Sequence, residues 1–114
     1  MRPAQYVIVH ENGGLELLRI SLKAGDEEAL PVFSLEEQAQ EFLRVSDPGS
    51  GWRVKEFHNG ELASLLLRLH TDVAWVLPNP LPKTLAAEDA LLNLMDRGSF
   101  VNLLLAMGRG PQSG

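Results

Sequence analysis

The chain has no cysteine, which excludes a disulfide framework, a thiolate nucleophile and a zinc–thiolate centre. That absence is compatible with a cytoplasmic protein, and a cytoplasmic location is the expectation. No apolar run approaches the roughly 18 residues that a membrane-spanning helix needs. The opening MRPAQYVIVHE reaches His10 and Glu11 too soon for a signal peptide. Positive charge is also scarce: ten Lys and Arg stand against fifteen Asp and Glu, a formal net charge of −5. The bases are dispersed singly, so neither a phosphate-tracking stripe nor a basic membrane patch forms, and neither nucleic acid nor a membrane is expected as a partner. The familiar chemical signatures are missing too. There is no phosphate-binding loop, dinucleotide-binding glycine fingerprint, H-E-x-x-H zinc helix or G-x-S-x-G nucleophile elbow. Gly49 and Gly51 sit in a turn that precedes a strand rather than a helix, the wrong setting for cradling phosphate.

What is present is enough for one domain. A chain of 114 residues buries roughly 65% of the surface its unfolded form exposes, so it needs no covalent staples. The clearest stretch is Leu30 to Val45, LPVFSLEEQAQEFLRV. Four apolar residues run extended into Ser34, and Leu35, Ala39, Phe42 and Leu43 then recur at helical spacing. Ser34 and Glu37 have the spacing of a reciprocal capping box, which predicts that the helix begins at Ser34.

Before this junction, Gln5–His10 and Leu15–Leu22 flank Asn12-Gly13-Gly14 and read as a β-hairpin, with Leu18, Ile20 and Leu22 on its buried face. Residues 23–29 read as a solvated acidic loop rather than a cation site, because Asp26, Glu27 and Glu28 point in different directions. After it, Trp52–His58 reads as a half-exposed strand near a sheet edge, with Trp52 and Val54 on one face and Arg53 and Lys55 on the other. Asn59 is placed to cap a helix carrying Leu62, Leu65, Leu66 and Leu69. Asp72–Leu77 is apolar enough for a central strand, and Pro78, Pro80 and Pro82 stiffen the connector after it. A helix opening at Thr84, carrying Leu91, Leu94 and Met95 and closed by Gly98, is expected next. A last short helix capped by Ser99 carries Phe100, Leu103, Leu104 and Met107. The expected fold class is α/β, with α+β also open. It comprises a mixed sheet of about five strands with helices packed on it, in the order β-β-β-α-β-α-β-α-α. Residues 1–108 form a single domain and 109–114 a flexible tail.

Few residues qualify as a site. His10 and His58 both end expected strands and would meet at a sheet edge if those strands were parallel, with Glu11, Glu56, or His70 and Asp72 to assist. Without a placed nucleophile or third ligand, water-facing strand ends are the favoured reading, and no catalytic residue, metal site or cofactor is expected. Trp75 reads as core, Trp52 as half exposed, and Phe57 as the best exposed aromatic contact unless a β-bulge turns it inward. The run Leu103-Leu104-Leu105-Ala106-Met107 is more apolar than one stripe requires, so a second copy is a candidate cover. The binding candidates are therefore Trp52, Phe57, His58 and Asn79.

Leu30-Pro31-Val32-Phe33-Ser34, followed by Glu36 and Glu37, Ala39 and Phe42, resembles the P-V-F-S/T segment of SseB-type domains of small bacterial proteins. Trp75-Val76-Leu77 leading into Asn79-Pro80 is similar to the strand and N-P that follow in such domains. Two departures stand out: Pro78 precedes Asn79, and the leading part is a hairpin rather than a helical opening. The resemblance spans residues 30–82. It implies an α/β fold and a protein-interaction or accessory role, with no catalytic residues to carry over. The expected function is accordingly a non-enzymatic cytoplasmic domain acting through a protein partner or its own homodimer. The alternative is a small enzyme or ligand-binding domain using the strand-end histidines or the Asn79 loop.

Overall fold

The structure, a computed structural model, describes residues 4–11, 14–21, 28–68, 72–80 and 94–109, with the backbone alone at 107–109. The acidic loop around Asp26 and Glu27, His70, Pro82, the helix start at Thr84 and the tail from 110 lie outside the described residues. In chain order the elements are β1 (Ala4–Glu11), β2 (Leu15–Leu17), β3 (Ile20–Ser21), β4 (Glu28–Val32), α1 (Glu36–Ser46), β5 (Trp52–His58), α2 (Asn59–Arg68), β6 (Trp75–Pro78), β7 (Met95–Asp96) and α3 (Arg97–Arg109). They build a mixed α+β fold with a three-stranded sheet, β2-β1-β5, and a four-stranded sheet, β3-β4-β6-β7.

The hairpin forms, with Val9 opposite Leu17 and Glu11 opposite Leu15. Its second arm does not continue as one strand to residue 22. Leu15–Leu17 stays with β1, whereas Ile20 and Ser21 cross over to pair with Ala29 and Glu28 of β4. One arm thus serves both sheets. Phe33 ties them together a second time, exchanging two backbone hydrogen bonds of 2.8 and 2.9 Å with Tyr6 of β1. In the second sheet β4 and β6 run parallel, with Leu30 beside Val76, and β7 pairs with β6 from its other side. The apolar strand at 75–78 is therefore central, as expected.

The β1–β5 sheet is covered on both faces. Ile8, Phe33, Ala39 and Phe42 pack together on the α1 side, with Trp52 and Val54 partly buried against them. On the other side Val7, Val9, Leu17 and Phe57 pack with Leu62 and Leu66 of α2 and with Phe100, Val101 and Leu104 of α3. Because neighbouring strand residues point to opposite faces, two-sided cover draws in both sets.

Three local expectations are corrected by these contacts. Helix α1 begins at Glu36, with Leu35 at its N-cap and no side-chain capping bond. Ser34 instead gives its N–H to Asn79 Oδ1 at 2.8 Å, and its Oγ accepts from Asn79 Nδ2 at 3.2 Å. Leu35 consequently leaves the buried stripe and is 55% exposed. Asn59 does not cap α2 either. It is buried, accepting from Gln5 Nε2 at 3.5 Å and donating to the Leu104 carbonyl at 3.4 Å, while Glu61 accepts from the His58 N–H at 2.9 Å. A glutamate three residues in, reaching back to the first N–H, does half the work of a capping box. Finally, Met95 lies in β7 rather than a helix, and Asp96 rather than Ser99 starts α3. The Asp96 carboxylate accepts from Ser99 N–H at 3.0 Å and Ser99 Oγ at 2.7 Å. These bonds hold its carboxyl below the usual carboxylate range, the side-chain bond from Ser99 being the largest cause.

Candidate functional site

The four candidate residues fall in two places. Trp52, Phe57 and His58 lie along β5, and Asn79 stands at the end of β6. Asn79 adopts a left-handed backbone conformation, φ 49°, which asparagine tolerates better than most residues. Its N–H reaches the Val32 carbonyl at 2.6 Å, and both ends of its side-chain amide are engaged by Ser34. It is a bracket closing the C-terminal ends of the parallel pair β4 and β6 onto the start of α1.

The histidines do not meet. Strands β1 and β5 are neighbours but antiparallel, so His10 stands opposite Trp52 and His58 opposite Ala4. Six residues of strand separate the two positions, about 20 Å. The His10 ring lies 5.2 Å from that of Trp52 and directly over Gly51, where a Cβ would come within 2.5 Å of Nε2. Its Nδ1 is buried without a hydrogen-bond partner. No group of three or more His, Cys, Asp or Glu able to hold a metal occurs among the described residues.

Phe57 is turned inward without any bulge. The register from Ala4 opposite His58 to His10 opposite Trp52 is unbroken, and Phe57 is only 5% exposed. The face it shares with Arg53 and Lys55 is covered by α2 at the Phe57 end and open at the other. One edge of its ring remains reachable as the floor of a groove of about 590 Å³ lined by Leu15, Lys55, Phe57, Glu61, Leu65 and Arg68. Lys55 Nζ sits 5.5 Å from the Phe57 ring centroid, within cation–π range. At the open end Arg53 pairs with Glu11, and Lys55 Nζ lies 4.0 Å from the same carboxylate. Among the described residues Arg53, Lys55 and Arg68 thus outnumber Glu11 and Glu61 by three to two on this face, in a chain whose net charge is −5.

The backbone of β5 adds a second feature. Tyr6 directs its N–H and carbonyl to Phe33, and the Ile8 carbonyl accepts from Leu18, so even-numbered residues of β1 face away from β5. Gln5, Val7 and Val9 must then bond across to Phe57, Lys55 and Arg53. It follows that Trp52, Val54, Glu56 and His58 direct their backbone groups outward. β5 is an edge strand; Glu61 takes the His58 N–H, and no described residue pairs with the N–H and C=O of Val54 and Glu56. Among the described residues, the seven-residue strand therefore presents an unpaired edge beside an apolar groove. Sequence reasoning found the edge and three residues of the strand but not the groove's other wall, Leu15, Leu65 and Arg68. Only the pairing of β2 with β1, and the packing of α2, bring those residues to Phe57.

No family model matches the chain, and no curated protein matches it. The likeness to SseB-type domains rests on the segments within residues 30–82 alone.

Proposed function

We propose that this chain is a non-enzymatic, cytoplasmic interaction domain that takes an extended segment of a protein partner as an additional strand on β5. The observation that carries this reading is the pair of outward-facing backbone positions Val54 and Glu56 on a seven-residue edge strand, which have no partner among the described residues. An unpaired edge is a template for another strand, with main-chain hydrogen bonds supplying affinity and flanking pockets supplying selectivity. The groove floored by Phe57 is such a pocket, and no helix of the described chain is long and apolar enough to cross a membrane.

Self-pairing of two β5 edges is the less favourable use. A two-fold pair using the free positions Trp52, Val54 and Glu56 must centre on Val54 or on Lys55. The first sets Arg53 opposite Lys55 and the second sets Lys55 opposite itself, and like charges directly opposed destabilise a sheet. The rival reading, a small enzyme or ligand-binding domain, has one observation in its favour, the unpartnered Nδ1 of His10. Against it, His58 is at the far end of the strand and the Asn79 amide is already engaged.

The test is selection of a randomised eight-residue peptide display library on the immobilised chain and on its Glu56→Pro variant. Proline there removes an outward N–H while leaving the ladder to β1 intact. Enrichment on the parent, lost on the variant at unchanged melting temperature, is the expected result. Equal enrichment on both would overturn the reading.

A further inference from the structure

We infer that the segment received by β5 is acidic, running antiparallel with the pattern apolar-x-acidic-x-acidic. This rests on the strand-addition reading and names its specificity. The residues that a new strand would face on the groove side are fixed by alternation: Phe57, Lys55 and Arg53, in the order an antiparallel strand meets them. Directly opposed side chains on one face of an antiparallel pair lie about 5 Å apart and interact as pairs. On their β1 side Lys55 and Arg53 stand opposite Val7 and Val9, which offer no charge. Among the described residues their acidic partner is the one carboxylate of Glu11, which serves both. Two cations sharing one anion leave positive charge along the free edge of an otherwise acidic chain. A carboxylate at each of two alternate positions of the incoming strand complements it. The position opposite Phe57 opens onto the groove walled by Leu15 and Leu65, and there an apolar side chain is the matching group. Arg68 on the groove rim adds to the same sign of field.

The charge register also sets a limit on the length recognised. Glu61 closes the edge at the His58 N–H with a bond of 2.9 Å, so pairing runs from Glu56 back toward Trp52. Five residues, one apolar opposite Phe57 and two acidic opposite Lys55 and Arg53, carry the pattern from position 57 to position 53 and take their outward hydrogen bonds from Glu56 and Val54.

The experiment uses two fluorescein-labelled peptides, Thr-Leu-Thr-Glu-Val-Glu-Thr-Ser and its counterpart with both glutamates replaced by lysine. Each is titrated by fluorescence anisotropy against the full chain and against the double variant Arg53→Glu, Lys55→Glu. Melting curves of the variant confirm that it folds; both side chains lie at the surface. The acidic peptide should bind the parent and lose about tenfold on the variant, and the lysine peptide should show the opposite preference. Binding of both peptides equally to both chains, or of neither to the parent, would overturn the charge register. The strand-addition reading is judged separately by the unbiased library. Peptides without alternating acids that still depend on Glu56 would leave the edge in use and the acidic specificity refuted. A dimer seen by light scattering and abolished by Glu56→Pro would assign the edge to a second copy instead.

Discussion

The junction at Phe33, Ser34 and Asn79 and the edge at Val54 and Glu56 are built from the same kind of backbone, yet their polar groups end differently. At the junction, Phe33 bonds to Tyr6, Ser34 to Asn79, and Asn79 to Val32. At the edge, the outward N–H and C=O groups of two consecutive even-numbered residues meet no described partner. Backbone groups removed from water are almost always paired, and a strand edge left open to water is normally short or blunted by charge. β5 is long and carries Arg53 and Lys55, so its charges both guard the edge against indiscriminate pairing and select what joins it. The closed region tells where the fold is held, and the open one tells where it acts.

The sharpest way to break this contrast is to damage the closed side. Phe33 is fully buried, and its ring lies 5.3 Å from that of Phe42. Phe33→Ala should cost about 3–5 kcal/mol in chemical denaturation, through lost transfer energy and the cavity left behind. A loss below 1 kcal/mol, roughly that of a surface change, would show that the Phe33 ring is not packed in the core. Next in size is Asn79→Ala, which removes both side-chain bonds to Ser34 in a backbone conformation that alanine adopts poorly. A loss of about 1–2 kcal/mol is expected by the same assay. Ser34→Ala should cost less, because the Ser34 N–H would still donate to Asn79; the reverse order would restore Ser34 as a true cap.

The start of α3 gives the smallest effect and extends the closed side of the comparison. Because its carboxyl is held below the ordinary aspartate value by Ser99, Asp96 stabilises the fold above about pH 4 and loses that contribution as pH falls through its lowered folded value. Asp96→Asn should therefore lower the melting temperature near neutral pH. The gap to the parent should narrow in acid, and a gap that is constant with pH would contradict the assignment.

The closed region was largely legible in the chain, and the open one only in part. Leu30–Phe33 followed by a 3.6-residue apolar period reads directly as strand and helix, since both signals are local. The bond between Asn79 and Ser34 spans 45 residues and leaves no local trace, so local spacing points to the nearest hydroxyl as the cap. The crossover in the hairpin's second arm does leave a mark: the apolar positions shift from Leu15 and Leu17 to Leu18 and Ile20, and this break in alternation falls where the chain leaves one sheet for the other. β7 is two residues long, too short for any period. Phe57 reads as exposed in the sequence because Arg53 and Lys55 share its face. That face is covered at one end only, a property of where α2 lands rather than of the strand.

Amide hydrogen exchange followed residue by residue in β5 distinguishes an open edge from a paired one. The Arg53, Lys55 and Phe57 amides, bonded to β1, should exchange slowly, while those of Val54 and Glu56 should exchange rapidly and become protected when the acidic peptide is added. Uniform slow exchange along the strand in the free chain would mean that the edge is already paired and not open to a partner strand.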